Sequence, residues 1–379
     1  MTSIVALIVV ILGILSVFLY FFVLEDKKSV QDFLQKFKKN TSPYVEKKSV
    51  IDTSIFEKGL SEVRFHNDVL KHVKNELHKK IVWMDNFINS VIVNLLCGWH
   101  ILVEGFPGLA KTKTIHTFAD IMGMVFKRIQ FTPDMLPSDI IGVEIYNSAS
   151  KEFETKMGPI VANIILADEI NRSTPKVQSA LLEAMQEQQV TIWGKTVKLP
   201  SPFFVLATQN PLEQEGTYPL PEAQIDRFLF KILVHYPTLT EEKKVMDTVE
   251  HEDTIRVEKV LSNHDFDELK AGVEKVTISD EVKEYITRLV QKTRPGSSKA
   301  GEKNPNILYG SSPRWSIGLM IAAKALAFVE GKDYVTHEDV QRVALSVLRH
   351  RIVLSYDAKI SWLTEDAILL ELFGEVNLV

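Results

Sequence analysis

The sequence predicts an α/β fold with a parallel sheet flanked by helices, followed by a smaller all-α portion and preceded by one apolar helix. Three observations carry that expectation. Continuously apolar runs at Ile101-Leu102-Val103 and Ile164-Ile165-Leu166, with the apolar-rich runs Phe203 to Thr208 and Leu229 to Val234, read as buried strands, as in a parallel sheet. Apolar residues at spacings of three and four separate and follow these runs, the helical period. Residues 4 to 24, IVALIVVILGILSVFLYFFVL, carry no charge at all.

A chain of 379 residues has room for two or three folded units at roughly 150 residues each. With 45% hydrophobic and 25% charged residues, it is neither disordered nor fibrous. A single cysteine, Cys97, excludes an intramolecular disulfide framework and a multi-cysteine zinc cluster, and fits a reducing compartment. Residues 4 to 24 are long enough to cross a hydrocarbon core of about 30 Å as a helix. No basic segment precedes them, and they end on Phe18, Tyr20, Phe21 and Phe22, unlike a cleaved signal peptide. Residues 1–25 are therefore expected to form a single-pass membrane anchor. Lys27, Lys28, Lys36, Lys38 and Lys39 then place the rest of the chain in the cytoplasm. Residues 27 to 48 hold seven lysines against Asp32 and Glu46, a net +5 that leaves −10 on the remainder. This basic stretch, within a linker at 26–65, suits anionic lipid head groups or a solvated tether. The acidic remainder argues against a nucleic-acid partner.

The sheet-bearing core is expected over 66–236. Val69, Val73 and Leu77, then Phe87, Val91 and Leu95, mark helices before the first strand. That strand runs into Gly105-Phe106-Pro107-Gly108-Leu109-Ala110-Lys111-Thr112, and a helix follows to about Met122. Strand, glycine-rich loop and helix are the context of a phosphate-binding loop. Its backbone N–H groups turn toward phosphate oxygens, and the helix N-terminus adds partial positive charge. Lys111 would reach the β- and γ-phosphates and Thr112 would hold Mg²⁺. Ala110 departs from the usual pattern, which has glycine there.

The strand at Ile164-Ile165-Leu166 ends in Asp168-Glu169. Ligands of open α/β sheets bind beyond the carboxyl ends of the strands, where the phosphate loop also arrives. Asp168 suits a water-mediated Mg²⁺ contact. Glu169 is placed to orient and deprotonate a water. The next strand ends in Gln209-Asn210-Pro211, where Asn210 would bond the attacking water, although Asn-Pro is equally a turn signal. Arg227 would pair with Asp226 or Glu222 in its own subunit, or complete a neighbour's site.

These residues resemble the MoxR family of AAA+ ATPases. GFPGLAKT, ILADEINRSTPKVQSALLEAMQEQQV, FFVLATQNP, EQEGTYPLPEAQIDRF and SSPRWSIGL follow the family's order from about Ile101 to the HRIVLSY stretch at 350–356. The resemblance accounts for Ala110, since alanine is common at that position of the family's loop. It implies an AAA+ P-loop NTPase fold with a small all-α lid, and hydrolysis of ATP with Mg²⁺. Gly105, Phe106, Pro107, Gly108, Leu109, Ala110, Lys111, Thr112 and Lys113 would form the nucleotide loop. Asp168 and Glu169 would be the Walker B pair, Asn210 sensor 1, Arg227 the arginine finger and Arg314 sensor 2. The resemblance further implies a ring, expected as a hexamer, and chaperone-like remodelling of protein partners such as von Willebrand factor A domain proteins. No such domain is fused here; Asp52-Thr53-Ser54-Ile55-Phe56 starts like its metal motif but lacks the closing serine.

Two insertions fit the same group. Val143 to Tyr146 and Glu152 to Thr155, joined by Asn147 to Lys151, suggest a hairpin interrupting the second helix of the core. Val190 to Trp193 and Thr196 to Leu199, around Gly194-Lys195, suggest another, with a type II′ turn. Trp193 reads as a packed hairpin aromatic or as a substrate contact. Trp83-Met84 replace the family's usual glycine-glutamine pair near adenine, and 296 to 312 form a longer loop than the family has. The lid is expected over 237–379, with helices at Glu241 to Glu250, Asp280 to Lys292, Pro313 to Phe328 and His337 to Arg349. Arg314 falls in a first helical turn, where a cation opposes the dipole and is easier to explain if it meets phosphate. Two other readings stay open: a DNA or chelatase-type motor, and a nucleotide-gated membrane scaffold without turnover.

Overall fold

The computed structural model describes residues 68–106, 108–211, 216–249, 255–295 and 304–376. The expected anchor at 4–24, the lysine-rich stretch and Pro107 lie outside these residues. The membrane placement is corrected: among the described residues no helix is long and apolar enough to cross a membrane. Arg314–Val329, for instance, has 16 residues and packs its apolar face inside the protein, whereas a span needs roughly 20 lipid-facing ones.

In chain order the strands of the core are β1 (His100–Gly105), β2 (Phe126–Gln130), β3 (Gly142–Asn147), β4 (Glu152–Met157), β5 (Ile164–Asp168), β6 (Gln189–Ile192), β7 (Lys195–Lys198), β8 (Phe204–Gln209) and β9 (Phe228–Val234). Five of them form one parallel sheet in the order β2-β5-β8-β1-β9. The apolar runs are continuous because helices cover both faces. Ile101, Val103, Ile164, Leu166, Phe204 and Leu206 enter one core cluster, with helices Asp85–Leu96 and Lys111–Met122. Leu102, Ile165, Ala167, Val205 and Ala207 enter the other, beneath Pro175–Glu187.

Both expected hairpins are present. β3 and β4 pair antiparallel, after a short helix at Pro137–Ile141 and before β5. β6 and β7 pair through a two-residue turn set one position earlier than expected: Ile192 faces Lys195, leaving Trp193 and Gly194 as the loop. Both have positive φ, 48° and 83°, so the turn is type I′ rather than II′. Trp193 is 78% exposed, which corrects the packed-aromatic reading. Lys195 Nζ reaches Glu144 Oε1 at 2.8 Å and ties the two hairpins together.

The carboxyl-terminal helices include Leu239–Val249, Asp280–Lys292, Arg314–Val329 and His337–Leu348, close to the expected spans. Asn263–Lys275 and Glu365–Glu375 were not anticipated, although their Ser262 and Thr364 caps are readable N-terminal signals.

One polar residue is built into the sheet. Within β1, His100 accepts from the Val205 N–H at 3.1 Å through Nδ1 and donates from Nε2 to the Met185 carbonyl at 3.2 Å. Burial pushes its pKa down to about 4, against the smaller opposing effect of the Met185 bond, so the folded ring is neutral. The unfolded chain takes up a proton near 6.5, so stability is complete above that pH and is lost as pH falls toward 4. At pH 5 the loss from this group is about 2 kcal/mol relative to pH 7.5. Urea denaturation at the two pH values should show the wild type losing more stability on acidification than His100→Gln; equal losses would contradict the neutral buried ring.

Candidate functional site

The loop after β1 is shaped by two residues in the left-handed region. Gly108 has φ 81° and Ala110 φ 53° as the residue capping helix Lys111–Met122. A glycine is the cheaper choice at such a φ, which is why the pattern favours it and why Ala110 carries a small conformational cost. Buried Leu109 fastens the loop to the core. Lys111 turns back, its Nζ donating to the Gly105 carbonyl at 2.8 Å. Burial lowers its pKa, while Asp168 and Glu169 act in the opposite direction, so the lysine and the acid pair share one electrostatic site. Thr112 and Lys113 are half-buried in the first turn. Phe106 stacks on Tyr236 beyond the end of β9, with centroids 4.8 Å apart and planes 15° from parallel.

The acid pair sits where β5 ends beside β8 and β2. Thr208 Oγ1 donates to Asp168 Oδ1 at 2.6 Å and accepts from the Glu169 N–H at 2.9 Å, so one hydroxyl fixes both acids. Arg128 donates to Asp168 Oδ2 from Nε at 3.1 Å and Nη2 at 2.6 Å. Glu169 Oε2 accepts from Gln130 Nε2 at 2.7 Å and Arg172 Nη1 at 3.1 Å. Glu169 itself has φ 57° and leads into the 3₁₀ turn Ile170–Arg172. Among non-glycine residues that conformation is uncommon and costs about 1 kcal/mol or more, a cost often met at functional sites.

Asn210 is buried just past the end of β8, one strand from the acid pair. Arg227 lies elsewhere, donating from Nη1 to the Leu182 carbonyl at 3.1 Å and to Gln186. It does not pair with Asp226 or Glu222, the partners the sequence suggested. Asp226 is taken by Arg351, at 3.2 Å. Arg314 is exposed at the first position of its helix, with its guanidinium carbon 5.1 Å from the Trp99 ring and 5.4 Å from that of Trp315. Met84, in the segment expected near adenine, is buried against Thr114 at 3.6 Å, while Trp83 packs on the core edge.

The loop, the acids and Asn210, which the sequence singles out, lie at neighbouring strand ends. The sequence does not single out Thr208, Arg128, Gln130 or Arg172. For Gln130 and Thr208 the available signal is polarity at the carboxyl ends of β2 and β8; Arg128, in the middle of β2, and Arg172, in the turn after β5, carry no such signal.

A five-stranded parallel sheet in this order, a phosphate-type loop after β1, an acid pair after β5 and a helical lid define an ATPase of the AAA+ class. Comparison with known proteins agrees. Residues 100–230 match the ATPase family associated with various cellular activities, and residues 300–372 match the AAA lid domain. Chaperone MoxR1 of Mycobacterium tuberculosis is 48% identical over 284 residues, 75% of each chain. YeaC of Bacillus subtilis, uncharacterised, is 49% identical over 284 residues, 75% of this chain and 86% of that protein. A crystal structure of a provisionally assigned ATPase from Cytophaga hutchinsonii superposes with a TM-score of 0.80 at 45% identity, covering 86% of this chain and 99% of that one. The chain belongs to the MoxR family of AAA+ ATPases, and it hydrolyses ATP.

Thr208→Val keeps the shape of the β8 terminus but leaves the Glu169 N–H without its acceptor. Stability should fall by about 1–3 kcal/mol, the cost of an unsatisfied buried donor. Urea denaturation checks it, and an unchanged midpoint would mean that the hydroxyl does not organise the acids.

Proposed function

We propose that the chain is a ring-forming remodeller of protein partners, assembled as a hexamer from the core at 66–236 and the lid at 237–379. The observation that best supports the chemistry is that Lys111, held on the Gly105 carbonyl, lies within the electrostatic influence of Asp168 and Glu169 at the same edge of the sheet. In this reading the loop from Gly105 to Lys113 wraps the ATP phosphates with backbone N–H groups, and Lys111 neutralises charge on the β- and γ-phosphates. The hydroxyl of Thr112 and the carboxylate of Asp168 are hard oxygen donors of the kind that hold Mg²⁺, beside the loop and with Asp168 oriented by Thr208. When bound, Mg²⁺ supplies charge neutralisation on the phosphates.

Glu169 acts as the base that orients and deprotonates the attacking water. Its bonds to Gln130 and Arg172 fix the carboxylate's direction. Asn210 holds the same water from the neighbouring strand. Arg314 and Arg227 stabilise phosphate charge, Arg227 in the adjoining subunit. Chaperone function is supported by the relative named for it, and von Willebrand factor A domain proteins are the proposed clients. The exposed hairpins, with Trp193 at one tip, are a suitable client-facing surface.

The chemistry is tested by paired variants. Lys111→Ala should lose nucleotide binding, whereas Glu169→Gln should bind ATP normally while turnover falls by about 10²-fold or more, the scale of a lost general base. Fluorescent-nucleotide titration alongside phosphate release reads both, and normal turnover in the glutamine variant would overturn the assignment.

The ring is tested by mixing. Arg227→Ala and Lys111→Ala should each be nearly inactive, since arginine fingers contribute about 10³–10⁵ in rate. Mixed together they should regain activity, because an intact loop in one subunit then meets an intact finger in the next. Activity that stays at background in the mixture, with both proteins folded, would contradict an arginine acting between subunits.

A further inference from the structure

Arg351 is the most heavily committed cation of the described residues, and it takes no part in the chemistry above. Its side chain is 2% exposed. Nε donates to Asp226 Oδ1 at 3.2 Å, Nη1 to the Leu229 carbonyl at 3.0 Å and to Val347, and Nη2 to the Phe228 carbonyl at 2.6 Å. The guanidinium also lies over the Trp315 ring, 3.1 Å from its centroid. All three nitrogens of the fork donate, and the planar group stacks on an aromatic ring. Desolvating a cation costs several kcal/mol, which these contacts must offset. Burial pulls its pKa down to about 9, with Asp226 holding the charge in place.

The five anchors come from two helices, one strand and the segment just before that strand. Val347 is in the lid helix His337–Leu348, and Phe228 and Leu229 open β9, the edge strand of the core sheet. Asp226 directly precedes Arg227, and Trp315 directly follows Arg314. The neighbouring residues strengthen the same seam. His350 lies 3.1 Å from the Phe228 carbonyl through Nε2, and Arg349 donates to the Lys231 carbonyl at 3.3 Å while gripping Asp366 at 2.8 Å. Trp315 is buried with its indole N–H unpartnered, so packing and the cations above it hold the ring.

We propose that Arg351 is a positioning residue for ATP hydrolysis, linking the two arginines assigned to phosphate charge: Arg227 of the core through Asp226, and Arg314 of the lid through the Trp315 ring that both cations lie over. A lid movement that shifts the His337–Leu348 helix then shifts Arg227 and Arg314 together, because one rigid, planar cation links them. Lysine would keep the charge but lose both the fork and the stack.

The inference rests on the arginine roles proposed above, and the test separates the two. Asp226→Asn removes the charged partner at a side chain 36% exposed and leaves the bonds to β9 intact. Arg351→Lys removes the fork itself. Both are measured for fluorescent-ATP affinity and steady-state phosphate release, beside Arg227→Lys. Each should keep ATP affinity within about threefold while kcat falls about 10- to 100-fold, as misplacement of a remote group does. A merely structural role would instead move affinity, KM and kcat together. In an Arg227→Lys background, Asp226→Asn should add little further loss, because the arginine it positions is already gone. The inference is overturned if whichever variant retains ATP affinity also retains wild-type kcat, or if the losses multiply in the double variant. If Arg227→Lys loses activity and Asp226→Asn does not, only this inference fails. If Arg227→Lys is fully active, the arginine assignment fails with it.

Discussion

The site depends on where β1 inserts. In the order β2-β5-β8-β1-β9, β1 lies between β8 and β9, although β8 follows it by about a hundred residues in the chain. In a parallel sheet every strand end of one sense faces the same edge. Inserting β1 next to β8 therefore brings a loop, an amide and an acid pair together from three distant segments. Thr208 converts that adjacency into geometry, because a single hydroxyl bonds Asp168 and the N–H of Glu169. Without the sheet order the hydroxyl would have nothing to organise. Without the hydroxyl the acids would turn on a strained residue, since Glu169 holds a left-handed φ.

The second layer of organisation is electrostatic. Asp168 is held by Arg128, and Glu169 by Gln130 and Arg172, so neither carboxylate is fixed by backbone alone. Three of these groups come from β2 and from the turn after β5, which ties the orientation of the acids to the far edge of the sheet. At the opposite edge, Arg349, His350 and Arg351 cover the carbonyls of β9. An edge strand presents unpaired backbone groups, and covering them with donors from the lid removes that liability while joining lid to core.

Much of this was legible in the residues. The strands could be read because burial on both faces leaves no polar position in Ile164-Ile165-Leu166 or Ile101-Leu102-Val103, and the loop because glycine, lysine and threonine at its spacing have one dominant use. Asn210 followed from its place at a strand end. The supporting side chains could not be read: Thr208 meets Asp168 across 40 positions and Arg351 meets Asp226 across 125, and only the strand order decides such pairs. The hairpin at Trp193 shows a smaller limit. A one-residue shift in the loop changes the turn from II′ to I′ and turns the indole outward, and both alignments satisfy the alternation of β6 and β7. The apolar segment at 4–24 satisfies a length and composition rule, yet it lies outside the described residues, and no described helix spans a membrane.

The central claim is that one subunit supplies the loop and acids while another supplies Arg227. The direct measurement is an electron cryomicroscopy structure of Glu169→Gln assembled with ATP and Mg²⁺. The account predicts a closed ring with the phosphates seated against Gly105 to Lys113 and Asp168. It also predicts that Arg227 of the partner subunit has left Gln186 and lies within hydrogen-bond reach of the γ-phosphate. A ring in which ATP is seated on that loop and every Arg227 remains on Gln186 and Leu182 of its own subunit would contradict it.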